Sequence, residues 1–400
     1  MFNCINLIDN EVSCYQKKQK GKDRMGAVAV IYPFVPHYRM PVFRALLNNN
    51  GLREYKFFAG KNTVEETIKS ELMNGKENFN GVPTYTVHGL TFQLGLLRVC
   101  LSQEYRHLIF MSDPYVITYW IYATLARIAG KKVWFWTHGW LRSELGLKGW
   151  MRKFFYKLPH GLLLYGERAK GIGVQSGFNP DRLHVIYNSL DYDQQRAVRE
   201  RLNRGVLSLP HTVEEPEWLR AQPYFACIAR LTELCRFDLV IESLAQLRKD
   251  EGVDIGMVFI GDGPQRSVLQ AMALNLNVRC WFLGAIYDEE IIGMLLYHAR
   301  AVVSPGKVGL TAMHSLAYGT PVISHDDFGK QMPEFEAIIP GKTGDFFNAG
   351  SVSDLAKVLW RWLNKVRDDE ERKTCYSRVE ECFTPQRQRD LIEAALSTQD

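Results

Sequence analysis

An arginine at the end of an apolar run is the first residue of this sequence that could do chemistry. Arg230 follows the run Phe225–Ala229 and precedes Phe237, which opens a helical pattern. A guanidinium at the carboxyl end of a strand, beside a helix N-terminus, suits a bidentate grip on phosphate. The alternative is a surface arginine that pairs with Glu233.

A second candidate is the stretch 304–323, which is typical of a strand, a glycine-containing loop, a helix and another strand. At the start of that helix the backbone N–H groups of Gly309, Leu310 and Thr311 would form an anion site. His314 lies one turn into the helix and would hydrogen-bond a ribose or sugar hydroxyl if it faces the cleft. The alternative is a histidine satisfied in the core or on the surface.

Glycine-rich turns and loops next to these strands predict further contacts with a ligand. Gly261 and Gly263 close the strand Gly256–Ile260, where they either let the backbone approach a flat ligand or simply make a tight turn. Ser304 ends the next but one strand and is also predicted to contact the ligand.

Loops in the first half predict further residues at the same cleft. His37, Tyr38 and Arg39 lie between the first strand and its helix and should overhang the cleft, although a simply packed loop is the alternative. Asp113 follows another apolar run and is a further candidate contact.

The elements that must position these residues are short apolar runs alternating with helical patterns. Most runs are continuously apolar, as strands covered on both faces are, and the alternation predicts parallel sheets with right-handed crossovers. The predicted strands are Ala27–Tyr32, Tyr55–Phe58, His107–Ser112, Val133–Trp136, Leu162–Tyr165, His184–Tyr187, Phe225–Ala229, Gly256–Ile260, Cys280–Leu283, Ala301–Ser304 and Pro321–Ser324. The predicted helices are Pro41–Asn48, Ile117–Ala129, Phe237–Lys249, Ser267–Leu274, Asp288–His298 and Thr311–Tyr318.

The alternation pauses once, in the polar segment 193–222, and this break predicts two domains. Residues 25–205 and 206–375 would each form a doubly wound, Rossmann-like α/β domain, with a ligand cleft between the carboxyl ends of the two sheets. Residues 376–400 would form a helix that packs back toward the N-terminal domain. The basic segment 1–24 would be a disordered tail or an upstream start, and a membrane or nucleic-acid arm is the sharper alternative.

Composition excludes several classes of protein. The chain has 400 residues, 46% hydrophobic, which is ordinary for a globular protein. A net charge of +5 is too mild for a dedicated nucleic-acid binder. Eight cysteines without a Cys-x-x-Cys pair favour free thiols in a reducing compartment, and no apolar run predicts a membrane span or a secretory signal. We therefore expect a cytoplasmic protein.

The stretch Arg142–Lys157 combines a charge of +4 with interleaved aromatic residues, Trp150, Phe154 and Phe155. Such a segment can lie on an anionic bilayer, and this predicts attachment to the inner face of the cell membrane. The alternative is a helix that packs its aromatic residues on the first sheet.

Taken together, these motifs resemble a retaining GT-B glycosyltransferase of family four, over about residues 26 to 370. The resemblance rests on Arg230, on the blocks 261–264 and 304–323, and on Pro333-Glu334 followed by Gly341-Lys342-Thr343-Gly344. In the first half, Val30-Ile31-Tyr32-Pro33, Thr137-His138-Gly139 and Tyr187-Asn188-Ser189-Leu190-Asp191 are also similar.

The resemblance implies transfer of a sugar from a nucleotide-sugar to an acceptor hydroxyl, with retention and without a metal or other cofactor. It places His138 near the transferred sugar. It also implies that His37, Tyr38 and Arg39 contact the acceptor or the donor phosphate, that Asp113 contacts the acceptor, and that Gly261, Gly263 and Ser304 contact the donor. The pattern around Ser304–Ser315 looks like a subgroup from bacterial surface-polysaccharide clusters, so the implied acceptor is a glycan or a lipid-linked glycan.

The sequence departs from the family pattern at three positions. Two glutamates eight positions apart are usual, and here those positions hold Gly306 and His314. The phosphate-binding lysine that is usual in the family is replaced here by Cys235. Arg236 or Lys307 would take over its role. These departures keep two rivals open: a degenerate nucleotide-sugar-binding protein, and a GT-B phosphorylase or epimerase.

Overall fold

The computed structural model describes residues 26–49, 53–60, 78–144 and 146–400. The segment 1–24, predicted as a tail or an upstream start, lies outside the described residues. Strands and helices are numbered below along these residues.

The first sheet has seven strands, all parallel, in the order β3-β2-β1-β6-β7-β8-β9. A separate antiparallel hairpin, β4-β5, is inserted between its third and fourth strands along the chain. The strands are β1 Ala27–Phe34, β2 Tyr55–Gly60, β3 Phe79–Val82, β4 Thr84–Val87, β5 Leu90–Gln93, β6 Tyr105–Met111, β7 Lys132–Thr137, β8 Gly161–Leu164 and β9 Leu183–Val185.

The second sheet has six parallel strands in the order β12-β11-β10-β13-β14-β15. In both sheets the order reverses beside the first strand, which is the Rossmann pattern and leaves a crevice at that point. The predicted α/β class with two doubly wound sheets is confirmed. The strands are β10 Tyr224–Ile228, β11 Gly256–Ile260, β12 Cys280–Gly284, β13 Val302–Ser304, β14 Val322–His325 and β15 Gly344–Phe347.

Helices cover both faces of the two sheets, and each predicted helix is present. They are α1 Met40–Leu47, α2 Leu97–Leu101, α3 Ile117–Ile128, α4 Gly146–Lys157, α5 Glu167–Gln175, α6 Tyr192–Asn203, α7 Trp218–Ala221, α8 Phe237–Glu251, α9 Arg266–Asn275, α10 Glu289–His298, α11 Leu310–Ala317, α12 Val352–Asn364, α13 Asp369–Cys382 and α14 Pro385–Ser397.

The apolar runs are continuous because each central strand is buried on both faces. In β1, Ala29 and Ile31 join one hydrophobic cluster, whereas Val28 and Val30 join another on the opposite face. The period-2 alternation of a strand makes this division necessary. All eleven predicted strands are therefore present.

Two helices cross between the halves. Helix α6 lies before the predicted boundary at residue 205, yet its Val198 and Leu202 belong to a core cluster of the second domain. The apolar face of α6 thus packs on the C-terminal domain, although the helix precedes residue 205 in the sequence. Helix α14 returns to the first domain, where Ile392 and Leu396 join the cluster of Phe43.

Strands β4, β5 and β15 were not predicted because polar residues interrupt their apolar runs. The β4 and β5 strands alternate polar and apolar residues and leave Tyr85 and Val87 about half exposed, so no continuous apolar run marks them. Strand β15 carries Asp345, whose carboxylate pairs with Arg361 at 2.6 Å. Edge strands and hairpins need less apolar surface than central strands, and pattern reasoning misses them.

Candidate functional site

Arg230 lies two residues after strand β10, at the point where the second sheet reverses its order. Its side chain is exposed and has no hydrogen bond or ion pair with any described residue, so the alternative pairing with Glu233 is not formed. Its carbonyl accepts from Thr232 N at 2.9 Å, which holds the loop in shape. The guanidinium is therefore free to meet an anion.

The glycine turn after β11 supports this loop from below. A Cβ atom on Gly261 would lie 1.9 Å from Ala229 O, and one on Gly263 would lie 2.3 Å from Leu231 O. Leu231 N donates to Asp262 O at 2.9 Å. These glycines are needed for backbone to approach backbone, and through that contact they fix the loop that carries Arg230.

Helix α11 begins after Gly309, at the carboxyl edge of the same sheet. No side chain caps its N-terminus, which leaves the amides around Gly309, Leu310 and Thr311 for another acceptor. The Thr311 hydroxyl donates to Ile228 O at 3.0 Å and ties the helix to the end of β10. The structure thus brings Arg230 and this helix start to adjacent strands, β10 and β13.

Gly306, which stands where the family pattern has its first glutamate, has no room for a side chain. A Cβ atom on Gly306 would lie 2.0 Å from Leu234 O, in the short helical turn Glu233–Cys235. Cys235 itself turns inward, with its Sγ 3.2 Å from Arg230 O. Because the turn fills this space, no larger side chain fits at residue 306 without a backbone shift.

The two predicted substitute cations differ in their surroundings. Arg236 has a left-handed backbone, φ 51°, and binds the Asp238 carboxylate at 2.8 Å. Lys307 is exposed and has no carboxylate partner among residues that the structure describes. Ser304 is buried, and its Oγ donates to Lys307 O at 3.5 Å, so its side chain helps to hold the loop after β13.

His314 pairs with a carboxylate that the sequence patterns did not single out. Its Nε2 lies 2.8 Å from the Oε1 atom of Glu289, and the Tyr318 hydroxyl donates to the same oxygen at 2.6 Å. Burial favours the neutral form of Glu289, but the charge and hydrogen bond of His314 and the hydrogen bond of Tyr318 outweigh it and lower the pKa of Glu289. A carboxylate therefore lies beside the predicted ribose position, on the neighbouring helix α10.

His138 follows strand β7 and stacks edge-on against Tyr165, with ring centroids 4.8 Å apart. Burial, assisted by the charges of Arg39 and Lys307, lowers the pKa of His138 to about 4. Lys307 belongs to the second domain, so His138 lies where the two halves meet. A neutral imidazole in that place can exchange hydrogen bonds with a hydroxyl but is not a proton donor at neutral pH.

Arg39 lies inside the interface instead of overhanging it. Its side chain is 2% exposed and donates to Asn188 Oδ1 and to the Tyr165 hydroxyl. Asn188 in turn donates to Glu334 Oε1 at 2.6 Å, so the network joins the first domain to the second. Both Nη atoms of Arg39 serve this network, and its contact with an acceptor stays a prediction.

The other predicted acceptor residues lie nearer to solvent. His37 is exposed, and its ring stands edge-on to Tyr38 at 5.6 Å. Asp113 follows strand β6 and accepts from Tyr115 N at 2.8 Å, which is an ordinary loop contact.

Glu334 is a second carboxylate that motif reasoning left without a role. It is 2% exposed, and its Oε2 atom has no hydrogen-bond partner in the described structure. Burial raises the pKa of Glu334 despite the hydrogen bond from Asn188. The only sequence signal for it was the Pro333-Glu334 pair.

A cavity of about 700 Å³ opens between the domains beside this network. Leu141, Arg142, Glu144 and Arg152 line it from the first domain, and loops after β10, β13, β14 and β15 line it from the second. Within the described ranges no cluster of three or more metal-binding side chains occurs, and no helix is long and apolar enough to span a bilayer.

Most of the second half of the chain is similar to a known protein family. Residues 213–381 match the family model described as Glycosyl transferases group 1. A GDP-mannose-dependent alpha-(1-6)-phosphatidylinositol dimannoside mannosyltransferase of Mycobacterium tuberculosis is 39% identical over 89 residues, which are 22% of this chain and 23% of that enzyme. The D-rhamnosyltransferase WbpZ of Pseudomonas aeruginosa is 27% identical over 141 residues, 34% of this chain and 36% of that enzyme. The matches thus span about a quarter to a third of these relatives.

Solved structures match nearly the whole chain. The apo form of the lipopolysaccharide outer core galactosyltransferase WaaB has a TM-score of 0.66 and 16% identity, covering 94% of this chain and 100% of that one. Anabaena Alr3699/HepE in complex with UDP has a TM-score of 0.61 and 14% identity, covering 93% and 100%. At this identity the likeness establishes the fold, and the predicted GT-B architecture is confirmed.

Proposed function

We propose that the protein transfers a sugar from a nucleotide-sugar to an acceptor hydroxyl, with retention of configuration. The match of residues 213–381 to the family model of group 1 glycosyl transferases supports this proposal. The observation that carries the proposal is the position of the unpaired Arg230 guanidinium. Arg230 follows strand β10, and the neighbouring strand β13 leads to the uncapped start of helix α11. Together they form a cationic and amide-rich site for a diphosphate.

The chemistry follows from the leaving group. The bond between the anomeric carbon and the diphosphate oxygen breaks, and the acceptor oxygen forms the new bond on the same face. The acceptor proton passes to the departing phosphate. Arg230, Lys307 and the amides of helix α11 would stabilise the charge that develops on that phosphate. This assignment needs no metal or other cofactor.

Two histidines would hold the donor on either side of the diphosphate. His138, neutral at physiological pH, would hydrogen-bond the transferred sugar. The Glu289–His314 pair would hydrogen-bond the ribose, because it lies one helical turn beyond the proposed phosphate amides, about 6 Å along the axis. A carboxylate and an imidazole offer the acceptor atoms that paired hydroxyl groups need.

The acceptor would be a lipid-linked or growing bacterial surface glycan at the inner face of the cell membrane. The mycobacterial relative is named as a phosphatidylinositol dimannoside mannosyltransferase and the Pseudomonas relative as a D-rhamnosyltransferase. These names support a glycan or glycolipid acceptor. Helix α4 supports a membrane location, since Leu147, Trp150 and Phe154 are 81%, 59% and 48% exposed and lysines flank them. Phe155 is fully buried, so the helix packs on the sheet and still leaves an apolar face outward.

The proposal is tested in two steps with wild-type protein and Arg230→Ala. A panel of nucleotide-sugars at about 100 times the dissociation constant should stabilise the wild type by about 2.7 kcal/mol. Nucleotide release that requires an added acceptor should then be lost in Arg230→Ala, while the folded variant keeps its melting temperature. Near-normal turnover by that variant would defeat the assignment.

The same assays separate the rivals. The closed position at Gly306 favours a degenerate binding protein as the second candidate, which would be stabilised by a nucleotide-sugar and yet never transfer. A phosphorylase would require phosphate, and an epimerase would change the nucleotide-sugar without releasing nucleotide.

A further inference from the structure

The cavity between the domains is a second cationic site, separate from the proposed donor site. Five cationic side chains line it, and among its lining residues only Glu144 and Glu233 are acidic. Arg230 and the amides at Gly309, Leu310 and Thr311 do not line it. Lys307 does, so the two sites would share one cation. The five cations are Arg142, Arg152, Arg236, Lys307 and Lys330.

Three of the five cations already have carboxylate partners. Arg152 pairs with Glu144 at 3.0 Å, and Lys330 pairs with Asp327 at 2.8 Å. Arg236 binds Asp238. Arg142 and Lys307 have no such partner among the residues with described positions, and neither does the Glu233 carboxylate, so the cavity presents two unpaired cations and one unpaired carboxylate. The two cations suit an anion with two negative charges.

Arg142 stands where the two domains come together. The Cβ atom of Arg142 lies 3.7 Å from the position that a Cβ atom on Gly329, in the second domain, would occupy. An anion bound by Arg142 and Lys307 would therefore bridge the halves of the protein, beside the point where the sugar is proposed to move.

Helix α4 connects this cavity to the outer surface. Successive residues of a helix are rotated by about 100° about its axis. Arg152 therefore lies about 160° around the helix from both Trp150 and Phe154. Arg152 lines the cavity, while Trp150 and Phe154 are exposed. The helix is about 10 Å across, a distance that a diphosphate and its first sugar can span.

We propose that this cavity binds the diphosphate of a lipid-borne acceptor, with Arg142 and Lys307 as its principal partners. The lipid lies on the side of Trp150 and Phe154, and the acceptor sugar reaches the donor past Lys307. The exposed Leu234, at the rim of the cavity, offers apolar contact to the first lipid units. The assignment rests on the proposed transfer reaction and names the class of its acceptor.

The test uses geranyl diphosphate as the probe and full-length protein. Thermal shift first identifies whether UDP or GDP stabilises the protein, which tests the proposed donor site by itself. Calorimetry then titrates geranyl diphosphate into protein saturated with that nucleotide. We expect binding by the wild type, at least tenfold weaker binding by Arg142→Ala, and recovery in Arg142→Lys. Arg196→Ala, on an exposed helix surface away from the cavity, is the matched control and should bind normally.

Several results would overturn this assignment while leaving the donor site intact. They are absence of geranyl diphosphate binding with nucleotide bound, equal binding by Arg142→Ala, or equally tight binding of inorganic pyrophosphate, which would assign the cavity to a free diphosphate. A loss of nucleotide affinity in Arg142→Ala would show instead that the cavity belongs to the donor. Failure of every nucleotide to stabilise the wild type contradicts the proposed function, whatever the probe does.

Discussion

The Nε2 atom of His314 lies 2.8 Å from the Oε1 atom of Glu289, and this contact joins two helices at the carboxyl edge of the second sheet. The side chains are 14% and 17% exposed, so the pair is held in place and can still be reached by a ligand. A histidine at this position thus keeps a carboxylate close by, although the carboxylate belongs to another helix.

This pair predicts matched losses of donor affinity. His314→Ala and Glu289→Gln should each weaken nucleotide binding about tenfold in calorimetry, because each removes a partner of the other. The double variant should lose less than the sum, as expected for residues in contact. Glu290→Gln, which alters the next residue and its exposed pairing with Arg201, is the control and should bind normally. Unchanged affinity in both single variants would remove the ribose role.

The closed space at Gly306 predicts that a methyl group there is costly. Gly306→Ala should destabilise the protein by about 1–3 kcal/mol, as overpacking does, because the new Cβ would overlap Leu234 O. Gly171→Ala is the matched control, since nothing lies within 4 Å of its new Cβ in helix α5, and it should stabilise by up to about 1 kcal/mol. Chemical denaturation measures both, and equal effects would contradict the steric reading of residue 306.

The outward face of helix α4 predicts binding to anionic vesicles. Wild-type protein should sediment with vesicles of phosphatidylcholine containing 30% phosphatidylglycerol, and Trp150→Ala with Phe154→Ala should reduce the bound fraction. Added salt should also reduce it, because lysines beside these aromatic residues supply the attraction. Ile128→Ala removes another exposed apolar residue, on helix α3, and is the control. Equal binding to pure phosphatidylcholine would contradict the electrostatic part of this prediction.

The low pKa of His138 predicts a loss of stability in acid. The native imidazole titrates at about 4 and its ordinary value is 6.5, so between these pH values only the unfolded chain gains the proton. The free energy of unfolding should therefore fall as pH drops from 6.5 toward 4, by up to about 3 kcal/mol from this residue. His138→Gln should show a correspondingly smaller fall in urea titrations at pH 7 and pH 4.5. Identical falls in both proteins would mean that His138 is not buried in its neutral form.

The architecture could be predicted because central parallel strands are apolar at every position, as β1 and β10 show. The hairpin β4-β5 and the edge strand β15 could not, because exposed residues in the hairpin and the buried, paired Asp345 in β15 break the apolar run. The packing of helix α6 could not be predicted either, because its polar composition does not indicate which of the two domains its apolar face contacts.

The site was predictable only where backbone geometry sets it. The position of Arg230 after a strand, and of Gly309 before a helix, follows from the order of elements. Contacts between distant segments do not follow from that order, and so Glu289 beside His314 and the burial of Arg39 against Asn188 were not foreseen. Such pairs depend on how loops more than a hundred residues apart, or two neighbouring helices, come together.

The central claim is that a diphosphate lies between Arg230 and the start of helix α11. A crystal structure with the nucleoside diphosphate that stabilises the protein tests it most directly. We predict phosphate oxygens within hydrogen-bond distance of the Arg230 guanidinium and of amides at Gly309, Leu310 and Thr311. A nucleotide bound elsewhere, or side chains filling that space, would contradict the account.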